Sequence, residues 1–467
     1  MIRGSALRGT GYAAGILLGA GTSVLLLRHL GVEDFGRYGI VVALLGIVSA
    51  VTDAGLTAVG SRELAILPVA ERPALLRNLV GLRITLTTAG VLVATGFALV
   101  AGYPGVVVAG TAIAGVGVVL VNTQATMMMP LAIELRYGAI TLIETLRHAL
   151  TLVGVAVLVI AGASLLPFFG VQVAVGVVVL LLTPLLVVGV AGMRPAIERA
   201  TARELLRESL PLAAALAMNI VYLRLLVILV SIQTDEVETG LFVTGFRIFE
   251  ILLGIPTLIL AVALPLLAVA GAEDRERLRY ALQQMTEAAV TASLLLVLVT
   301  VVLAEPAILL LGGEQYRDAV PILQVLAFAL LGIFLSQVWT LGLVSLRRQR
   351  DVAVANGIAL VFVLVLGVVL VRAYSGIGGA AAAVATEGVL AVLIFWFLAR
   401  ADRAVVPSLG FVPRPLAAGV AGALVALLPL SPWIVAPLAA VVFIAVAVAI
   451  GAVPPEIVPA LRGRKPL

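Results

Sequence analysis

Arg224, Arg247 and Glu250 are the residues whose type and placement could do chemistry in this chain. They stand inside two long apolar runs, roughly 212–232 and 240–270, joined by the acidic link Gln233-Thr-Asp-Glu-Val-Glu-Thr239. An arginine at the centre of a bilayer costs about 2.5–3.5 kcal/mol on insertion scales, so such groups face protein or a wet cavity. If the first run enters from the inside and the second returns, Arg224 lies about 15 residues up and Arg247 about 8 residues down. At ~1.5 Å per residue these depths nearly coincide, in the outer half of a ~30 Å hydrocarbon core. Two arginines and a glutamate converging there describe a cationic chamber. Guanidinium suits phosphate oxygens because it stays charged and presents a fork of donors. A competing reading is that Arg247 and Glu250, three apart on one helix face, simply neutralise each other.

A second set of residues could carry a coupling ion, proton or sodium. Glu144, Arg147 and His148 share one face of the run 139–162, and a histidine beside a carboxylate responds to protons near neutral pH. The alternative is a polar cluster satisfied within itself. Glu387 falls near mid-depth of the run 376–399, and Asp53 near the inner end of the run 39–60, where it pairs with Arg62 or caps the following turn. His29 and His148 are the only histidines and there is no cysteine, which excludes thiolate zinc, disulfide and iron–sulfur chemistry and leaves no metal or cofactor site.

Groups of this kind need walls, and the composition supplies them. Charged residues make up 12 % of the 467 residues and hydrophobic ones 62 %, whereas a soluble domain carries about 25 % charged. The apolar runs are continuous rather than alternating, which describes helices and excludes a β-barrel. The expected class is therefore an all-α polytopic membrane protein. About fourteen spans are expected, at approximately 10–30, 39–60, 80–102, 105–128, 139–162, 165–191, 211–232, 240–270, 284–304, 319–345, 352–373, 376–399, 414–430 and 432–451. With the N-terminus inside, most arginines between spans fall on one side, among them Arg72, Arg136, Arg199, Arg275 and Arg348. Only Arg28, Arg37, Arg317 and Arg372 fall on the other, as the positive-inside rule requires. Both termini are then cytoplasmic, in the cell membrane. The net charge of +5 reflects these loops and is no nucleic-acid signal.

Six spans precede a basic stretch and six follow it. The expected division is a six-helix bundle over 1–195, a cytoplasmic linker over 196–210, a second bundle over 211–400, and two further helices with a basic tail over 401–467. The bundles are expected to be repeats related by a pseudo-two-fold axis normal to the membrane. Arg199, Arg203 and Arg207 recur every four residues, so the linker presents a basic face, either to anionic headgroups or to water. Pro184, Pro256 and Pro265 are expected to kink their helices, and Met127-Met-Met-Pro130 to form the ragged inner end of the fourth span.

Four motifs carry a resemblance. Leu30-Gly-Val-Glu-Asp-Phe-Gly-Arg-Tyr-Gly39, with Thr52-Asp-Ala-Gly-Leu56 and Ser61-Arg62 after it, resembles the opening of bacterial and archaeal oligosaccharide flippases. Leu311-Gly-Gly-Glu-Gln-Tyr-Arg-Asp-Ala319 resembles that family's connection between helices nine and ten, and the Gly/Ala-rich Ser375–Thr386 its start of helix twelve. The superfamily also holds multidrug/cation antiporters and the lipid II flippase, whose fourteen helices the extra pair here resembles. The resemblance implies a transport path lined chiefly by helices one, two, seven and eight, where Arg224, Arg247 and Glu250 fall. It implies a non-enzymatic secondary transporter that flips a polyprenyl-pyrophosphate-linked oligosaccharide, with polysaccharide-assembly proteins as further partners. A drug/cation antiporter remains as an alternative, and would want carboxylates to dominate the cavity. A membrane-embedded sugar polymerase or ligase would want a large outer loop, and no outer connection exceeds roughly 15 residues. The absence of a P-loop of the form G-x-x-x-x-G-K-[ST] excludes ATP drive within this chain.

Overall fold

The computed structural model describes residues 2–53, 55–187, 193–273 and 275–452, with side chains throughout except at 2–10, 12–13, 210–217, 219 and 255–273. Among the described residues every regular element is a helix. Nine helical stretches among them are long and apolar enough to cross a membrane. Each of the fourteen expected segments overlies helix, and two of the nine stretches contain a backbone break at a position that the sequence separates. This is a multi-pass membrane protein. The chain divides into two compact units, Met1–Gly240 and Leu241–Leu467.

The first unit holds α1 (Ile2–Asp53), α2 (Leu56–Ile66), α3 (Arg72–Val100), α4 (Gly105–Met127), α5 (Met129–Ile133), α6 (Tyr137–Ile160), α7 (Leu165–Leu186) and α8 (Arg199–Gln233). Gly31 interrupts α1 with φ 73°, a left-handed value that glycine adopts at no steric cost, and so ends the first span where the acidic motif begins. The expected second span, 39–60, is itself divided: α1 stops at Asp53 and α2 restarts after Gly55, at φ 81°. The stop is held chemically. The Arg83 guanidinium donates to the carbonyl oxygen of Thr52 at 2.9 Å, one of the acceptors that a helix end leaves without an intrahelical donor.

Around that break lies an apolar cluster of Leu56, Leu64, Leu79, Val80, Met128, Met129, Ile143 and Leu205, which binds α2, α3, α5, α6 and α8 together. The methionines close α4 and open α5 inside this core. Through most of the basic stretch 196–210 the chain is helical, and α8 runs unbroken from Arg199 through the seventh span. Ala202 and Leu205 are buried in the cluster, and Arg199, Arg203 and Arg207 are exposed. Pro184 falls in the last turn of α7, where it accompanies termination and not a mid-helix kink. The side chains of Pro256 and Pro265, and the basic tail Arg462, Arg464 and Lys465, lie outside the described residues.

Most of α9 (Glu236–Glu273) belongs to the second unit, with α10 (Arg275–Gly312), a 3-10 turn (Glu314–Ala319), α11 (Val320–Ala327), α12 (Ala329–Ser345), α13 (Gln349–Ala401), α14 (Pro413–Ala426) and α15 (Pro432–Ala449). Here α13 breaks at Tyr374 and Ser375, the latter at φ 52°, separating the eleventh and twelfth spans where the sequence expects it. The last two helices pack on α10. Gly422 faces the Ala439 carbonyl oxygen, and Ala418, Phe443 and Ala447 close over Leu294, Leu295 and Leu298.

Candidate functional site

Arg224 lies on α8, half-buried, with its stem across Gly46 of α1. An added Cβ at Gly46 would lie 3.1 Å from Arg224 Nε and 3.4 Å from Cδ. One turn along α1, Ser49 Oγ accepts from Asn122 Nδ2 of α4 at 3.4 Å. One further turn on, Asp53 accepts from Arg83 Nη2 and from the Thr57 hydroxyl. Gly46, Ser49 and Asp53 follow the i, i+3, i+7 spacing of one helix face. All three are partly exposed, while Leu45, Val48 and Ala50 beside them are buried. One face of α1 therefore meets α8 by close approach of the Arg224 side chain at Gly46, and α4 and α3 through hydrogen bonds in the following turns.

Arg247 and Glu250 belong to the second unit and form an ion pair, Nη1 to Oε2 at 3.4 Å, with side chains 41 % and 19 % exposed. The i, i+3 spacing thus produces contact. Glu387 is 1 % exposed on the second half of α13, where α12 approaches closely: an added Cβ at Gly332 would lie 2.8 Å from Glu387 Cβ. On α6, Glu144 is exposed, Arg147 is half-buried and His148 lies against α1, its Cδ2 3.3 Å from a Cβ placed at Gly15. The three share a helix, but His148 packs into the α1 contact. Asp53 does not pair with Arg62. Arg62 engages Glu63 and Glu208 at 2.7 and 2.5 Å, and Asp53 takes Arg83. The reason is the helix break, which turns Asp53 toward α3 before Arg62 is reached.

Two features were missed by sequence reasoning. Arg83 is almost fully buried, and its guanidinium also donates from Nε to Thr126 Oγ1 at 3.0 Å and from Nη2 to Thr57 Oγ1 at 2.9 Å. An arginine inside the apolar run 80–102 was the available signal, the same one that singled out Arg224. The second is a crossing at the other end of the first unit. Gly36 faces the Glu236 carbonyl oxygen and the Gly240 backbone, whose nitrogen would lie 2.8 Å from an added Cβ, and Gly240 in turn faces Val32. Beside it Arg37 engages Glu33 at 2.5 Å, Asp34 at 2.9 Å and Glu236 at 3.8 Å. Tyr103 Oη and Ser231 Oγ lie 2.5 Å apart there, and burial pushes the Tyr103 phenol above its ordinary range, so it remains a neutral hydroxyl. Because the atoms opposing Gly36 are backbone, Gly36→Ala should sharply lower the yield of folded, membrane-inserted protein. Gly19→Ala, with nothing within 4 Å, should leave it unchanged. Equal yields of the two variants would show that the crossing has slack.

Among the described residues no group of three or more acidic or histidine side chains could hold a metal.

The helical arrangement is similar to that of solved transporters of the MOP superfamily. It superposes on the lipid II flippase MurJ in an inward closed conformation with TM-score 0.76, at 11 % identity, over 99 % of this chain and 100 % of that one. An inward-facing multidrug resistance MATE family transporter follows with TM-score 0.68, at 15 % identity, over 84 % and 95 %. A MOP superfamily transporter from Pyrococcus furiosus, described as having a binding pocket of reversed polarity, gives 0.53 at 15 % identity, over 87 % and 94 %. Identities this low speak for fold alone. No curated protein matches the sequence. The family model described as polysaccharide biosynthesis protein matches residues 25–321, more than half of the chain, and the protein belongs to that family.

Proposed function

We propose that this protein is a secondary transporter that flips a lipid-linked oligosaccharide, carried on a polyprenyl pyrophosphate, outward across the cytoplasmic membrane for polysaccharide biosynthesis. The observation that carries the reading is the family match over residues 25–321, a stretch that includes Arg224, Arg247 and Glu250. The fold shared with a lipid II flippase supports it. Arg224 and Arg247 contact the pyrophosphate, and Glu250 tempers the charge of Arg247. Glu144, Arg147, His148, Glu387 and Asp53 are the candidates for coupling to protons or sodium. Polysaccharide-assembly proteins are the further partners.

Purified protein in liposomes should move a fluorescent polyprenyl-pyrophosphate glycan between leaflets faster than empty liposomes do. Equal rates in the two overturn the reading. A second reading, a drug/cation antiporter, is favoured by the likeness to a MATE family transporter. It predicts dye efflux from intact cells without movement of the glycan.

The orientation belongs to the same proposal and has its own test. A reporter fused after Arg275 or Arg348 should signal cytoplasm, and one fused after Glu236 or Glu314 should signal the outside. An external signal from the Arg348 fusion would reverse the topology.

A further inference from the structure

We infer that Gly46 is a positioning residue: a notch in α1 that seats the Arg224 side chain and so sets how its guanidinium meets a phosphate-bearing head group. The inference rests on the proposed role of Arg224 as a phosphate contact and adds the part of the chain that sets its direction.

The argument begins with space. A Cβ at position 46 would come within 3.1 Å of Arg224 Nε and 3.4 Å of its Cδ. The 3.1 Å approach is tighter than ordinary van der Waals contact, so any larger residue moves the arginine side chain by a few tenths of an ångström. Gly46 has no φ that demands glycine, since it stands inside regular helix, where glycine is disfavoured by about 0.8–1 kcal/mol relative to alanine. Local backbone preference therefore argues against glycine here, and contact with Arg224 supplies a reason for it. The three atoms nearest a Cβ at Gly46 all belong to that one side chain, unlike Gly36, which meets backbone.

Charge and polarity agree. Arg224 crosses α1 at Gly46, and Ser49, one turn away, carries a hydroxyl shared with Asn122. A fork of guanidinium donors fits the oxygens of a phosphate or pyrophosphate better than an apolar or cationic ligand. Bidentate recognition depends on the plane of the guanidinium, so a small displacement costs binding even though the charge is kept.

Inorganic pyrophosphate is the probe, titrated calorimetrically into the purified full-length protein. The expected result is binding to the parent, loss of binding in Arg224→Ala, and weakening by about tenfold in Gly46→Ala. In the Gly46→Ala/Arg224→Ala double variant, binding should be no weaker than in Arg224→Ala alone, because the notch acts only through the arginine. If the parent does not bind pyrophosphate, or Arg224→Ala binds as the parent does, the phosphate-contact reading fails and takes this inference with it. If Arg224→Ala loses binding and Gly46→Ala keeps parental affinity, the inference alone is overturned. Where Gly46→Ala inserts poorly, the added methyl should conflict with Arg224 and with nothing else, so Arg224→Ala should restore the amount of folded protein. Poor insertion in both backgrounds would make Gly46 a packing residue and also overturn the inference.

Discussion

Arg224→Ala and Arg247→Ala should each reduce glycan export by roughly 30-fold or more while the protein still inserts, because truncating one partner of a charge-assisted contact costs about 2–5 kcal/mol. Lysine at either position should rescue in part, since it keeps the charge but loses the fork. Glu250→Gln should be milder, and by removing an opposing charge it favours retention of the anionic substrate. The observed Arg247–Glu250 contact at 3.4 Å makes a second pattern available. A purely structural pair predicts that losing either partner lowers folded protein, and that the Arg247→Ala/Glu250→Ala double recovers it. Measuring inserted protein beside exported glycan separates the patterns. Full export by well-inserted Arg224→Ala and Arg247→Ala would falsify the phosphate-contact role.

Much of the helical layout could be read from composition and hydropathy because lipid removes the alternatives: every backbone polar group must be satisfied internally. Gly31 and Ser375 mark breaks that the apolar runs already separate. The break at Gly55 was not legible. Both sides of it are apolar, and only the left-handed backbone and the distant Arg83 reveal it. Asp53 shows the same limit. Its candidate partner was chosen by nearness in sequence, Arg62, and the actual partner, Arg83, is thirty residues away on another helix. The start of the seventh helix was not legible either, because charge density marks where a helix leaves the membrane and not where it begins; α8 already starts at Arg199. Arg247 and Glu250 were legible as a pair because their spacing on one helix settles their contact. Which α1 residue Arg224 lies across was not, since no local rule says that Gly46 lies beneath it.

Asp53 and Arg83 allow a prediction whose order runs against intuition: removing the exposed partner should do more damage than removing the buried one. The Arg83 side chain is 2 % exposed and that of Asp53 51 %. If Asp53→Ala removes the counter-charge, the guanidinium stays buried with Thr126, Thr57 and the Thr52 carbonyl oxygen, all of them neutral. A buried charge left uncompensated costs about 3–5 kcal/mol. Arg83→Leu instead leaves a carboxylate that is half-exposed and so is not a fully buried charge. Its cost is the Thr52 carbonyl oxygen left without a donor and an imperfect fill of the volume, about 1–3 kcal/mol. The Asp53→Ala/Arg83→Leu double should therefore be more stable than Asp53→Ala alone, since the charge that had no partner is gone. Unfolding of the purified proteins in one detergent, followed by heat or denaturant, would rank the variants. A coupling role for Asp53 predicts something else: Asp53→Ala with parental unfolding behaviour and lost transport. That outcome would mean the Arg83 cluster holds its charge without Asp53, and that the carboxylate serves transport instead of the fold.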